Sequence, residues 1–214
     1  MKSRVSLALA IAVLTVLVRP ALGVNLLVQD GFEVNNLAPL GSIVTPLTPG
    51  IWGYENSSDV NTGNSGILPR TGRWMLEMNT GAGSYTQTLQ FADISLYPTL
   101  QATAYFNSDA PGASASIVLS YWAGINSWNT SISLDSYSLT LDSNPLTWEA
   151  INFVSSRPSG ATWVGFQVAF LESSIQNTAG YVDDASLVPV PEPNSMLALG
   201  TGLFGLCGLL RRRK

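Results

Sequence analysis

The sequence predicts an all-β fold, a β-sandwich of jelly-roll type, with an apolar helix at each end of the chain. Three observations predict it. Eight or more short runs between residues 25 and 188 alternate apolar and polar side chains with period two. Turn clusters such as Asn61-Thr62-Gly63-Asn64-Ser65-Gly66 and Asp109-Ala110-Pro111-Gly112 separate them. No interior stretch carries a helical period.

Taken in order, Lys2 and Arg4 form a charged start, Val5 to Val18 an apolar core, and Ala21-Leu22-Gly23 a small-x-small cleavage site. This is the grammar of a secretory signal peptide over residues 1–23, cleaved before Val24. A β-sandwich domain is then expected over residues 24–189. Its strands are Asn25 to Asp30, Trp74 to Met78, Tyr85 to Phe91, Leu100 to Phe106, Ala115 to Trp122, Ser131 to Leu141, Trp148 to Val154, Trp163 to Leu171 and Tyr181 to Val188. Trp74, Leu76 and Met78 share one face, and Arg73, Met75 and Glu77 the other. Pro39, Pro46 and Pro49 mark Asn35 to Asn64 as a long loop with at most an edge strand.

Residues 190–214 form a separate tail. Val190-Pro191-Glu192-Pro193 cannot continue a strand, because proline fixes φ and lacks a donor. From Ser195 to Leu210 the chain is uncharged and apolar, roughly 24 Å as a helix. That is a short membrane span against a hydrocarbon core of ~30 Å. Arg211, Arg212, Arg213 and Lys214 then hold the end on the cytoplasmic side.

Charge is unevenly distributed. Residues 24–189 hold three arginines (Arg70, Arg73 and Arg157) and thirteen carboxylates, a net charge of −10 against −4 for the whole chain. A lysine-free, acidic domain has no means of gripping phosphates, so nucleic acid is excluded as a partner. Histidine is absent and the single cysteine, Cys207, lies in the tail. Serine-histidine triads, cysteine-histidine nucleophiles and histidine-bound zinc are therefore excluded, and the domain must stand by core burial.

The tail elements together, Val190-Pro191-Glu192-Pro193, Ser195, a glycine-interrupted apolar run and a terminal arginine cluster, resemble the PEP-CTERM sorting signal of exopolysaccharide-producing Gram-negative bacteria. The resemblance implies export across the inner membrane, tethering through the C-terminal helix, and processing by an exosortase-type enzyme that reads Pro191, Glu192, Pro193 and Arg211 to Arg213. Delivery to the cell surface or to an extracellular (biofilm) matrix follows.

A second resemblance covers residues 24–188. Asn25-Leu26-Leu27 with Asp30-Gly31-Phe32-Glu33, Gly72-Arg73-Trp74-Met75-Leu76, Tyr85-Thr86-Gln87-Thr88-Leu89, Leu146-Thr147-Trp148-Glu149 and Gly180-Tyr181-Val182-Asp183-Asp184-Ala185-Ser186-Leu187 resemble strands of jelly-roll carbohydrate-binding modules and their galactose-binding-like relatives. That likeness implies a structural Ca2+ where the first and last strands meet. Glu33 and one of Asp183 or Asp184 would be its ligands, with carbonyls near Asp30 completing an oxygen cage.

The six tryptophans fit a sugar binder, because pyranose faces stack on flat rings while amides take the hydroxyls. Trp122 and Trp128 flank Ala123 to Ser127, with Asn126 as an amide, and Trp52 and Tyr54 lie in the irregular region; these five are the candidate ligand residues. Trp74, Trp148 and Trp163 alternate with apolar residues and are expected to be core. Glu55, Glu77, Glu149 and Glu172 could supply the two acids of a glycoside hydrolase, but nothing in their sequence spacing singles out a pair. The expected function is non-enzymatic binding of extracellular polysaccharide. The alternatives are a matrix protein without a specific ligand and, third, a glycoside hydrolase.

Overall fold

The computed structural model describes residues 23–28, 30–33, 37–39, 51–54, 57–79, 85–109, 111–124, 131–171 and 179–191. Both expected terminal helices, and most of the sorting tail, lie outside these residues. Among the described residues, no helix is long and apolar enough to cross a membrane.

Among the described residues, eleven strands form two sheets. They are β1 (Leu37–Pro39), β2 (Trp52–Tyr54), β3 (Ser57–Val60), β4 (Met75–Asn79), β5 (Tyr85–Asp93) and β6 (Thr99–Ser108). There follow β7 (Ser114–Trp122), β8 (Ser133–Thr140), β9 (Glu149–Ser156), β10 (Trp163–Leu171) and β11 (Ala179–Pro189). One sheet has six strands in the order β1-β2-β5-β10-β7-β8, the other five in the order β3-β4-β11-β6-β9. All pairings are antiparallel except that of β1 with β2.

Alternation places the core between the sheets. Leu100, Ala102, Ala104 and Phe106 of β6 meet Ala115, Ile117, Leu119 and Tyr121 of β7 and Val164, Phe166, Val168 and Phe170 of β10. β4 follows its expected alternation, with Leu76 and Met78 in this core. Met75 instead joins Ile67, Ala179 and Tyr181 in a second cluster, on the outside of the five-stranded sheet. Gly63 approaches the Tyr181 ring so closely that a Cβ would come within 2.5 Å of it. The segment before β4 thus lies over the outer face of β11.

Two expectations need correction. The opening run Asn25 to Asp30 is not a strand. It is held on the edges of β11 and β5 by a few bonds: Leu26 N–H to Leu187 O at 2.8 Å, and the buried Gln90 amide on both N–H and C=O of Val28. A side chain here replaces a backbone ladder. The region 35–64 holds three short strands, β1, β2 and β3, two of them at sheet edges, where Pro39 can sit without interrupting a ladder.

Candidate functional site

The antiparallel registers set Phe91 opposite Gly165, and Trp163 opposite Trp122. Their sequence neighbours Ala92, Val164 and Tyr121 are in the core. Phe91, Trp122 and Trp163 therefore project from the outer face of the six-stranded sheet, at one end of it. Glycine at 165 is required by packing: a Cβ would stand 2.7 Å from the Trp122 ring and 3.1 Å from that of Phe91. With that space open, the Trp122 and Phe91 rings pack at 5.2 Å and 49°.

The polar part of this face comes from β7, β8 and β10. Ser114, Ser116 and Ser120 are paired in register with Thr140, Ser138 and Leu134, and Gln167 stands two residues beyond Gly165. The face thus carries rings at one end, with the exposed Asp93 opposite Trp163 and Phe91 only 5% exposed, and hydroxyls and an amide along the rest. Trp122 is 9% exposed, and its Nε1 has no hydrogen-bond partner among the described residues.

The candidate ligand residues are dispersed. Trp52 is not a surface platform: it is 1% exposed, packs on Phe32 at 5.0 Å and Phe166 at 6.2 Å, and donates to Val28 O at 3.1 Å. Trp122 lies on the outer face, but as a packed ring and not as a free one. Asn126 and Trp128 lie outside the described residues, as does the side chain of Tyr54. Conversely, the three tryptophans expected in the core are only half-buried: Trp74 beneath Arg73, Trp148 against the second cluster, and Trp163 on the outer face. Alternation marks which residues share a face but not which face is covered. Trp163 and Phe91 were missed as site residues for that reason, and Gly165 opposite Phe91 was the available signal.

A second constellation lies where the opening segment meets β11. The strand is bulged between Asp183 and Ser186, and Asp184 adopts φ 48°. The bulge separates the two aspartates. Asp183 is fully buried and accepts N–H bonds from Arg70 at 2.8 Å, Thr71 at 3.1 Å and Asp184 at 2.8 Å. Burial, reinforced by the neighbouring Asp184 charge, outweighs these bonds and pushes its pKa up to about 6. Asp184 instead pairs with the Arg70 guanidinium and accepts from Thr71 Oγ1 at 2.6 Å. The same guanidinium lies 3.5 Å from the centre of the Tyr105 ring.

Glu33 accepts from the N–H groups of Arg73 and Trp74. Gly72, at φ 63°, leaves the room: a Cβ there would sit 1.9 Å from Glu33 Oε1. Glu33 and Asp183 thus both accept backbone N–H groups of the segment Arg70 to Trp74. Among the described residues no three acidic side chains lie close enough together to hold a metal ion by themselves. Asp30 contributes its backbone, its C=O accepting from Ala185 N–H at 2.8 Å.

The described carboxylates weighed for hydrolysis do not face one another. Glu77 is on the outer face beside Tyr181, half-buried, with its pKa raised by desolvation, and Glu149 accepts from Asp142 N–H at 2.8 Å.

Residues 189–214 match the family described as the PEP-CTERM protein-sorting motif. No curated protein matches the sequence. Among solved structures, the chain is similar to TmCBM61, determined in complex with β-1,4-galactotriose, at 13% identity and a TM-score of 0.54. The match covers 78% of this chain and 99% of that one. It is also similar to a proposed sugar-binding protein from Bacteroides thetaiotaomicron, at 12% identity and a TM-score of 0.51, covering 78% and 100%. At these identities the likeness is one of fold: the sandwich is the jelly roll of carbohydrate-binding modules, and it is followed directly by a sorting signal of exported Gram-negative proteins.

Proposed function

We propose that this is an exported, non-catalytic protein that holds an extracellular polysaccharide on the outer face of its six-stranded sheet. The observation that carries the reading is the face built around Gly165, where the half-buried Trp163 lies beside the packed rings of Phe91 and Trp122 and opposite Asp93, with Ser116, Ser120, Ser138 and Gln167 alongside. The Trp163 ring supplies stacking area for a sugar, and the hydroxyls and amide exchange hydrogen bonds with it. Single stacked sugars contribute on the order of 1 kcal/mol each, so a repeating polymer suits the site better than a monosaccharide. The half-buried Trp163 is the main contact, and Asn126 and Trp128, which follow Trp122 in the sequence, are the further candidate contacts.

The signal peptide of residues 1–23 takes the chain across the inner membrane. The tail tethers it there until an exosortase-type enzyme acts, and the protein then joins the cell surface or biofilm matrix. A Ca2+ ion held by Glu33 and Asp183, with backbone carbonyls, belongs to the same reading. Two carboxylates converging on one segment, with Asp183 buried and facing no described cation, fit an oxygen cage. When bound, the ion supplies charge neutralisation and joins the opening segment to β11; Asp184 remains with Arg70.

Affinity electrophoresis against a panel of soluble polysaccharides tests the binding. The expected result is retardation by at least one polymer, lost in Trp163→Ala and Trp128→Ala with melting temperatures nearly unchanged. If no polymer retards the wild type, the protein is a matrix component without a specific ligand. Release of reducing sugar from a retained polymer would instead make it a hydrolase.

A further inference from the structure

The strand that carries the sorting tail has its place in the middle of the five-stranded sheet. β11 lies between β4 and β6, its last residue Pro189 is opposite Leu100, and Val190 N–H bonds Thr99 O at 2.9 Å. The chain is therefore pinned up to the first residues of Val190-Pro191-Glu192-Pro193. From Pro191 to Met196, where the apolar run begins, five residues reach no more than about 18 Å even fully extended.

The registers define what else lies at this end. β5 ends at Asp93 beside the start of β10, β6 starts at Thr99 beside the end of β9, and Arg157 N–H bonds Pro98 O. The turn between β5 and β6 is braced. Tyr97 N–H bonds Ile94 O, and the Arg157 guanidinium donates to Ser95 O at 2.7 Å, Ile94 O at 3.4 Å and Ala161 O at 3.2 Å. On this fixed turn Leu96 points outward, 77% exposed. Ile132, 43% exposed, precedes β8 at the same end, and Val24, 64% exposed, leads into Leu26.

Charge divides the two ends. Asp93, Asp135 and Arg157 are the charged residues described towards this one, and the guanidinium is occupied by carbonyls. Asp109, Asp142 and Glu149 lie at the other end. An acidic domain approaching anionic lipid is repelled less by this less acidic end.

We propose that, while the tail spans the membrane, this end of the sandwich rests on the lipid surface with Leu96 in the interfacial layer. The inference relies on the reading of Met196 to Leu210 as a membrane anchor. The aromatic cluster on the sheet lies at the same end, so the tethered protein holds its sugar-binding face next to the membrane and release uncovers it.

The test uses the full chain with Cys207→Ser, carrying Leu96→Cys or, as the control at the far end, Leu146→Cys. Each is labelled with an environment-sensitive fluorophore and reconstituted into vesicles of phosphatidylethanolamine and phosphatidylglycerol. The expected result is a blue-shifted label at position 96, several-fold better protected from iodide than the label at 146. Equal quenching at both positions, with the chain floating with the vesicles, overturns the proposal and leaves the anchor intact. A chain that does not float overturns the anchor and the proposal together. Protection at 96 that grows with the protein-to-lipid ratio assigns the surface to a second copy and overturns the lipid contact.

Discussion

Trp52 and Trp148 show how differently one residue type behaves in one fold. Trp52 is 1% exposed between Phe32 and Phe166, and its indole N–H bonds Val28 O. Trp52→Ala should therefore cost ~3–5 kcal/mol, as a truncation in a filled core does. Trp148 is only half-buried against the second cluster and should cost clearly less. Urea denaturation of both variants measures the two, and a larger loss for Trp148→Ala would contradict the packing. Asp183 makes a pH prediction. Its folded pKa of about 6 stands above the unfolded value of 3.8, so the folded state holds the proton more tightly. Stability should then fall as pH rises from about 4 to about 6, by on the order of 3 kcal/mol at ~1.36 kcal/mol per unit, and stay low above that. Glu77, raised by burial, acts in the same direction. Melts in chelator across this range measure it; Asp183→Asn should flatten most of the slope, and a flat wild-type profile would contradict the assignment.

Among the elements, β10 runs over the residues expected, Trp163–Leu171, and β4 to β9 and β11 differ by one or two residues at their ends. Period-two alternation is a strong signal when a strand is covered on one face, as in β6, whose buried and half-buried residues alternate from Thr99 to Phe106. It fails where backbone pairing is replaced, as at Asn25 to Val28, or where strands are only three residues long, as in β1 and β2. The site was legible in composition but not in position. Aromatic count and the meeting of the opening segment with the last strand could be read, whereas the depth of Trp52 and the bulge that turns Asp184 toward Arg70 depend on tertiary packing. The meeting of the opening segment with β11 gives a prediction of its own. If Glu33 and Asp183 share Ca2+, an ion bound only by the folded state stabilises it in proportion to the logarithm of free calcium. The melting temperature should rise with calcium, fall with chelator, and lose that dependence in Glu33→Gln. A wild-type melt unchanged across the titration would remove the ion from the proposal.

For the whole molecule, the decisive relation is between a pinned strand and a short anchor. Pro189 is buried and Val190 is bonded to Thr99, so the sorting motif begins with no slack between itself and the fold. The apolar run behind it, roughly 24 Å as a helix, is shorter than the ~30 Å hydrocarbon core and would be held under mismatch at a modest cost. Pro191 and Pro193 lack the N–H that a ladder with β6 would need. We propose that a short anchor behind this proline-interrupted joint is removed by a membrane enzyme. In a host with an exosortase-type enzyme, the mature protein should therefore start at Val24 and lack everything from the apolar run onward. Intact-mass spectrometry of protein recovered from the envelope and the medium measures both ends at once. Material that retains Arg211 to Lys214 in such a host would mean that the tail is a permanent anchor and that the sandwich never leaves the membrane.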